Sequence, residues 1–491
     1  MLFLSVVVFT SCAFAAPASN RPRSGPAPLV VHAGERQLEG WYTVQLHEDA
    51  SLDDHLSDLS LDAAGRTYYN VTRIPYLGYH ATFPDELLLQ VRNHPSVVHV
   101  EQASLMNVVE HSHEALNPEG PEPGESVFEM TQAIQNTSEL HRRDDDWGIV
   151  KQKNAPWHLA MTSSNTRGTP GIDITDTDYF YPRDAGLRVS IYIFDSGIRL
   201  SHSEFEGRAV NFKGRSNSIY ADNESNDDVR GHGTHVAGLA GGKTYGVAKK
   251  VQLVNVKVSG SKGVQRPLFN HALGDVLDEH NGYMALEEKE KSGNYRGGIL
   301  NFSLGGLGDS EALRELTTLA RKMGMIVVAS SGNYGNDLDI TPVYPCSWPG
   351  ARVVCVGAVD KKFQELALSS YGSTVSILAP GNVLKSAAHF DDNATAGKTG
   401  TSMAAPIVSG LLATFCSVEG CTARLRHADV GVNRLLGNAQ IGWLAGPHTP
   451  KSGLRSYTKN ILANNGAQRV GKGPVHQPYL GGPIVVSHDE F

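Results

Sequence analysis

The sequence predicts an α/β fold with a mostly parallel central sheet covered by helices on both faces. Two observations predict it. From Asp184 onward, apolar runs near Val189, Val251, Ile299, Met325 and Val353 alternate with helical stretches near His232, Pro267, Glu311 and Ser402. Such alternation implies parallel strands joined by crossover helices. The residues best suited to chemistry also stand where that architecture gathers its sites, at the carboxyl ends of strands. Val189 to Phe194, apolar and β-branched, ends in Asp195-Ser196-Gly197, and Met325 to Ser330 runs into Ser331-Gly332-Asn333.

In chain order, Leu2 to Thr10 is apolar and Ala13-Phe14-Ala15 fits a small-x-small cleavage pattern. Residues 1–16 therefore read as a secretory signal, although no Lys or Arg precedes the apolar run, which is too short to span a membrane. No other stretch reads as long and apolar enough to be transmembrane. Pro17 to Pro28 is rich in Pro, Ser and Arg and reads as disordered. A small α+β unit of about 70 residues, 41–109, follows. Its strands are expected at Trp41 to Leu46, Tyr79 to Phe83 and Val97 to Val100, with helix starts at Ser51 and Pro84. Glu110 to Asp146 is charged and rich in Glu, Pro and Gly, a linker with the pair Arg142-Arg143 near its end. The α/β part is expected over 144–466, and 467–491 is a Gly/Pro-rich tail. The tail closes on His488-Asp489-Glu490-Phe491, close to an ER-retention tetrapeptide but with Phe where Leu is usual.

Composition narrows the classes. The chain has 491 residues and a formal net charge of −8, with its basic residues scattered, so nothing points to nucleic acid. No membrane partner is indicated either, and a monomer is expected. Of five cysteines Cys12 would leave with the signal. Cys346, Cys355, Cys416 and Cys421 allow three pairings, of which the local ones, Cys346–Cys355 and Cys416–Cys421, are preferred. No Cys-x-x-Cys or His spacing suggests a metal. Five Asn-x-Ser/Thr sequons occur. Asn223 and Asn393 lie in polar loops and are the glycosylation candidates, whereas Asn301 lies inside an apolar strand.

The chemistry is carried by three segments. Gly400-Thr401-Ser402-Met403-Ala404-Ala405-Pro406 opens an apolar helix, and Pro406 reads as a first-turn proline. Ser402 then stands at a helix N-terminus, where free N–H groups favour developing negative charge. A serine needs a base and the base an orienter. Gly231-His232-Gly233-Thr234-His235 offers the base and Asp195 the orienter. The amide of Asn333 at a strand end can donate to an oxyanion.

These residues resemble the subtilase family, in particular its fungal proteinase K-like branch. Asn154-Ala155-Pro156-Trp157, Tyr245-Gly246-Val247-Ala248, Ser303-Leu304-Gly305-Gly306 and Tyr371-Gly372-Ser373 carry the likeness, which runs from about Trp41 to Gly466. The resemblance implies a subtilisin-like three-layer fold and a secreted serine endopeptidase acting on proteins and peptides. Asp195 would orient, His232 act as base, Ser402 as nucleophile, and Asn333 complete the oxyanion hole. Ser303, Leu304, Gly305 and Gly306 would line the substrate cleft. Gly78-Tyr79-His80-Ala81-Thr82-Phe83 and Val100-Glu101-Gln102 resemble the family's inhibitor-type prodomain, so residues 17–143 would be a propeptide that aids folding and plugs the cleft. Its strand-like end, Val97 to Val108, would then add along Ser303 to Gly306. No cofactor is implied. Structural calcium stays open, because Ser376 precedes Ile377-Leu378-Ala379-Pro380-Gly381 where the branch has an acid. Secretion is the expected destination, with vacuolar or ER retention as the alternatives. Two rival functions stay open, a silent subtilase fold used for binding and an α/β-hydrolase esterase. The esterase would need Gly-x-Ser-x-Gly, and Ala404 follows Met403 here.

Overall fold

The structure is a computed structural model. It describes residues 25–32, 35–61, 72–106, 113–114, 148–213, 227–260, 263–304, 308–349, 352–419, 427–444 and 458–467. Its largest sheet has nine strands, in the order Ala209–Asn211, Gln252–Lys257, Ser190–Asp195, Gly298–Phe302, Ile326–Ser330, Val354–Val359, Ile377–Pro380, Ile461–Leu462 and Gln440–Ile441. All neighbours pair in parallel except the last two, which are antiparallel. Side chains alternate across this sheet into two apolar layers. Ile191 and Ile193 face the helices His232–Gly241 and Thr401–Glu419. Tyr192 and Phe194 face the helices Arg266–Glu290 and Glu311–Lys322. Burial on both faces is why the strand read as one unbroken apolar run. The three-layer α/β arrangement matches the expected fold class.

The chain lays down Ser190–Asp195, goes out to the edge strand Ala209–Asn211, comes back to fill the place between them with Gln252–Lys257, then crosses to the opposite side of the first strand with Gly298–Phe302. That reversal places a crevice beyond the carboxyl ends of Ser190–Asp195 and Gly298–Phe302.

The N-terminal unit has its own antiparallel strands, Arg36–Leu46, Thr72–Ile74, Gly78–Thr82 and Val97–Met106, and helices Leu52–Asp58 and Asp85–Asn93. Ser51 caps the first helix through the Asp54 N–H (3.2 Å). Val44, Leu56, Tyr79, Phe83, Val91 and Val100 form a core separate from the two layers of the large sheet. The unit rests on the helices Arg266–Glu290 and Glu311–Lys322. Buried Glu101 accepts from the Ala312 N–H (3.0 Å) and the Ser310 hydroxyl (2.9 Å), at the positive end of the second helix. Arg266 pairs with Glu35, and Gln45 donates to Glu315.

The segment Val97 to Val108 was expected to add along Ser303 to Gly306. Its described part, the strand Val97–Met106, pairs with Gly263–Gln265, Met106 opposite Val264. Gly305 and Gly306 lie outside the described residues. A second backbone contact sets His113–Glu114 antiparallel to Thr399 and Lys398.

Among the described residues one stretch, Thr401–Val418, is long and apolar enough to cross a membrane, contrary to the sequence expectation; 94% of it is buried inside the protein, as a core helix. The Cys346–Cys355 disulfide is present as expected. Cys416 is also disulfide-bonded; Cys421, its expected partner, lies outside the described residues.

Several buried histidines make the fold acid-sensitive. Burial holds His235 and His80 down to about 3 and His158 to about 4; His80 is lowered further by its neighbour His271. The unfolded chain binds these protons near pH 6.5, whereas the folded chain refuses them until far lower. Stability is therefore full above about pH 6.5 and falls as pH drops toward about 4, by up to about 1.4 kcal/mol per pH unit for each such histidine. Urea unfolding of Ser402→Ala, chosen to avoid self-digestion, should show a lower midpoint at pH 5 than at pH 7. An equal or higher midpoint at pH 5 would sink this account.

Candidate active site

Asp195 closes the strand Ser190–Asp195 and is fully buried. One oxygen, Oδ1, accepts from His232 Nδ1 (2.7 Å) and from the Ser196 N–H (2.8 Å). His232 is the first residue of the helix His232–Gly241, preceded by Gly231 at φ +76°. Gly233 is required by contact: a Cβ there would lie 2.2 Å from the Gly197 carbonyl oxygen and 3.0 Å from the Asp195 Cβ. The histidine helix thus packs backbone against the turn that follows the aspartate.

Ser402 is the second residue of the helix Thr401–Glu419, buried to 2% exposure. Pro406 lies inside this helix, so its reading as a first-turn proline is corrected. A proline there cannot donate to the carbonyl four residues back, which is that of Ser402. The Ser303 hydroxyl donates to this carbonyl instead (2.9 Å). Ser303 Oγ in turn accepts from Asn301 Nδ2 (2.9 Å), and Asn301 Oδ1 accepts from Ser409 Oγ (2.8 Å) on the same helix. This buried polar chain replaces the missing helical bond and ties the serine's backbone to the strand Gly298–Phe302.

Asn333 follows the strand Ile326–Ser330. Its Oδ1 accepts from both the Thr401 N–H (2.8 Å) and the Thr401 hydroxyl (2.9 Å). That fixes the amide with Nδ2 toward Gly400, where a Cβ would stand 3.0 Å from it. Gly400 therefore has no side chain to block the donor.

The fold brings Asp195 against His232, and Asn333 against Gly400 and Thr401, the two residues before Ser402. Ser303 and Leu304 are both buried; Ser303 turns its side chain to the Ser402 carbonyl and Leu304 turns into the core, so neither offers a side chain to a ligand. Asn393 is exposed between the strands Leu384–Ala387 and Thr395–Thr399, whereas Asn301 is fully buried. Asn223 and the Arg142-Arg143 pair lie outside the described residues. Among the described residues no group of three or more His, Cys, Asp or Glu is placed to hold a metal ion. Ser376, where an acid was looked for, accepts from the Cys355 N–H (3.1 Å) and donates to the Val353 carbonyl (3.5 Å).

Sequence reasoning missed Asn301 and Ser409 as supports of Ser402. An asparagine inside an otherwise apolar strand was the available signal, since a buried amide demands partners.

Comparison with known proteins shows the family. The subtilase family profile matches residues 186–428. Proteinase R of Parengyodontium album is 31% identical over 405 residues, covering 82% of this chain and 85% of that protein. The chain belongs to the subtilase family. The cuticle-degrading protease of Metarhizium anisopliae is 30% identical over 463 residues, 92% of this chain and 96% of that one. Subtilisin-like protease 1 of Arthroderma gypseum is 30% identical over 459 residues, 89% and 78% respectively. This subtilase is a subtilisin-like serine endopeptidase, and its relatives fall in the expected fungal proteinase K-like branch.

Proposed function

We propose that the chain is made as a secreted zymogen and hydrolyses peptide bonds through Asp195, His232 and Ser402. The reading is supported by the buried 2.7 Å bond between Asp195 and His232, and by a serine in the first turn of the helix Thr401–Glu419, which shares an apolar layer with the helix His232–Gly241. Ser402 Oγ attacks the scissile carbonyl carbon while His232 Nε2 takes its proton. Asp195 Oδ1 holds the Nδ1–H, which sets the tautomer and steadies the imidazolium. The carbonyl oxygen becomes an oxyanion, held by Asn333 Nδ2 and the N–H groups of the first helical turn. Collapse breaks the C–N bond, and His232 returns the proton to the leaving amine. Water, deprotonated by His232, then releases the acid from the acyl-enzyme. The residues named supply each of these steps, and the Ser376 hydroxyl bonds the start of the strand Val354–Val359 through the Cys355 N–H and the Val353 carbonyl. A disulfide such as Cys346–Cys355 suits an oxidising, extracellular destination.

The N-terminal unit acts as propeptide. Backbone pairing holds Met106 at Val264 and His113 at Thr399, the latter three residues before Ser402. Strand addition of this kind recognises a peptide by its main chain. A cut made by Ser402 itself is expected between Met106 and His113, with trimming at Arg142-Arg143 removing the linker. The Ser402→Ala chain should accumulate uncut, and separately made Trp41–Val109 should inhibit the mature enzyme at micromolar concentration. The zymogen reading is lost if the fragment does not inhibit and Ser402→Ala is processed normally in a host without other proteases.

A further inference from the structure

Outside the Asp195, His232 and Ser402 set, one carboxylate collects an unusual number of donors. Asp228 is buried to 5% exposure. Its Oδ1 accepts from Ser196 Oγ (2.8 Å), the Gly231 N–H (2.8 Å) and the Arg230 N–H (3.0 Å). Its Oδ2 accepts from the Thr234 N–H (2.9 Å) and the Thr234 hydroxyl (2.7 Å). Burial alone would push the carboxyl up, but the bonds from Thr234, Ser196 and Gly231 outweigh it and hold the group below its usual range, so it is ionised.

The donors come from two places that must stay in register. Arg230, Gly231 and Thr234 belong to the start of the helix that opens with His232. Its N-cap, Gly231, has no side chain to cap with. Asp228 supplies the missing acceptor from three residues further back. Ser196 belongs to the turn after Asp195. Its hydroxyl gives its proton to Asp228 and accepts the Gly233 N–H (3.0 Å), while its own N–H bonds Asp195 Oδ1. That oxygen is the one bonded to His232 Nδ1. Thr234 Oγ1 also accepts the Arg199 N–H (3.0 Å), closing the link from the helix side. Gly197, at φ +122°, lets the two segments touch, since a Cβ there would come within 2.8 Å of the Asp227 and Asp228 backbone.

We propose that Asp228 is a positioning residue, a clamp that fixes the turn carrying Asp195 relative to the helix carrying His232. The inference rests on the catalytic reading of those two residues. A carboxylate suits the task because both oxygens accept. An amide would turn an NH2 toward at least one of the five N–H and O–H donors. Misplacing Asp195 Oδ1 by a fraction of an ångström alters the orientation of His232, and errors of about 1 Å in such sites can cost about 100-fold in rate.

The test is kinetics on Asp228→Asn and Ser196→Ala, each rated per active site by titration with a tight covalent serine reagent. The expected result is a fall in kcat of about 10- to 100-fold for Asp228→Asn and about 3- to 10-fold for Ser196→Ala, with KM within about twofold. A purely structural role would reduce the number of titratable sites and leave kcat per site unchanged. If Asp228→Asn yields no folded protein, Ser196→Ala carries the test. Wild-type kcat per titrated site in Ser196→Ala, and in Asp228→Asn where that variant folds, would overturn the proposal. Ser402→Ala run alongside keeps the two ideas apart, because activity retained there would refute the catalytic reading instead.

Discussion

Replacing Ser402 or His232 by alanine is expected to lower kcat on a peptide amide by about 10⁶-fold, a magnitude borrowed from subtilisin itself. Either change should cost nearly as much as both together, because the serine is inert without its base and the base has nothing to activate without the serine. Ser402→Ala removes only one oxygen, and the Ser402 carbonyl keeps its bond from Ser303, so the helix Thr401–Glu419 should be unaffected. His232→Ala leaves buried Asp195 with the Ser196 N–H as its remaining bond on Oδ1 and should cost some stability as well. Circular dichroism and thermal unfolding separate that loss from the chemical one.

The second large effect is expected at Asn333. Alanine there should lower kcat by about 100- to 1,000-fold with little change in KM, again on the scale known from subtilisin. The asymmetry follows from the geometry. Oδ1 is committed to Thr401, so Nδ2 is aimed in advance at the space beside Gly400, where negative charge develops only during reaction. A donor aimed at the tetrahedral oxyanion stabilises the transition state more than the bound substrate. Asn333→Asp would test the same point with similar volume, because a carboxylate offers no donor and repels the oxyanion. Full turnover by Asn333→Ala on an amide substrate would remove it from the oxyanion hole.

What was legible in the sequence is what depends on neighbours along the chain. Asp195 and Asn333 could be placed at strand ends because Ile191 to Phe194 and Met325 to Ala329 are buried on both faces and carry no charged residue. The helix starts at Ser51 and Pro84 could be read from local chemistry, and these residues are the N-caps of the helices Leu52–Asp58 and Asp85–Asn93. Pro406 was misplaced because the local rule for proline favours the first turn. The tertiary bond from Ser303, far away in sequence, makes the second turn tolerable. The roles of Asp228 and Asn301 escaped because the partners that tie each to a distant segment, Ser196 and Ser409, lie 32 and 108 residues off. The partner of Val97–Met106 was also beyond reach. A strand's alternation shows which face it buries, but its edge is satisfied by whichever backbone the fold presents, here Gly263–Gln265.

The most direct measurement of the central claim is covalent labelling with a fluorophosphonate followed by peptide mapping. Phosphonylation displaces fluoride and requires an activated serine, so it reports the nucleophile without assuming any substrate. The account predicts stoichiometric label on the peptide containing Ser402, loss of peptidase activity in step with labelling, and no label in Ser402→Ala or His232→Ala. Label on a different serine, or an unlabelled Ser402 in enzyme that still cleaves peptides, would contradict it.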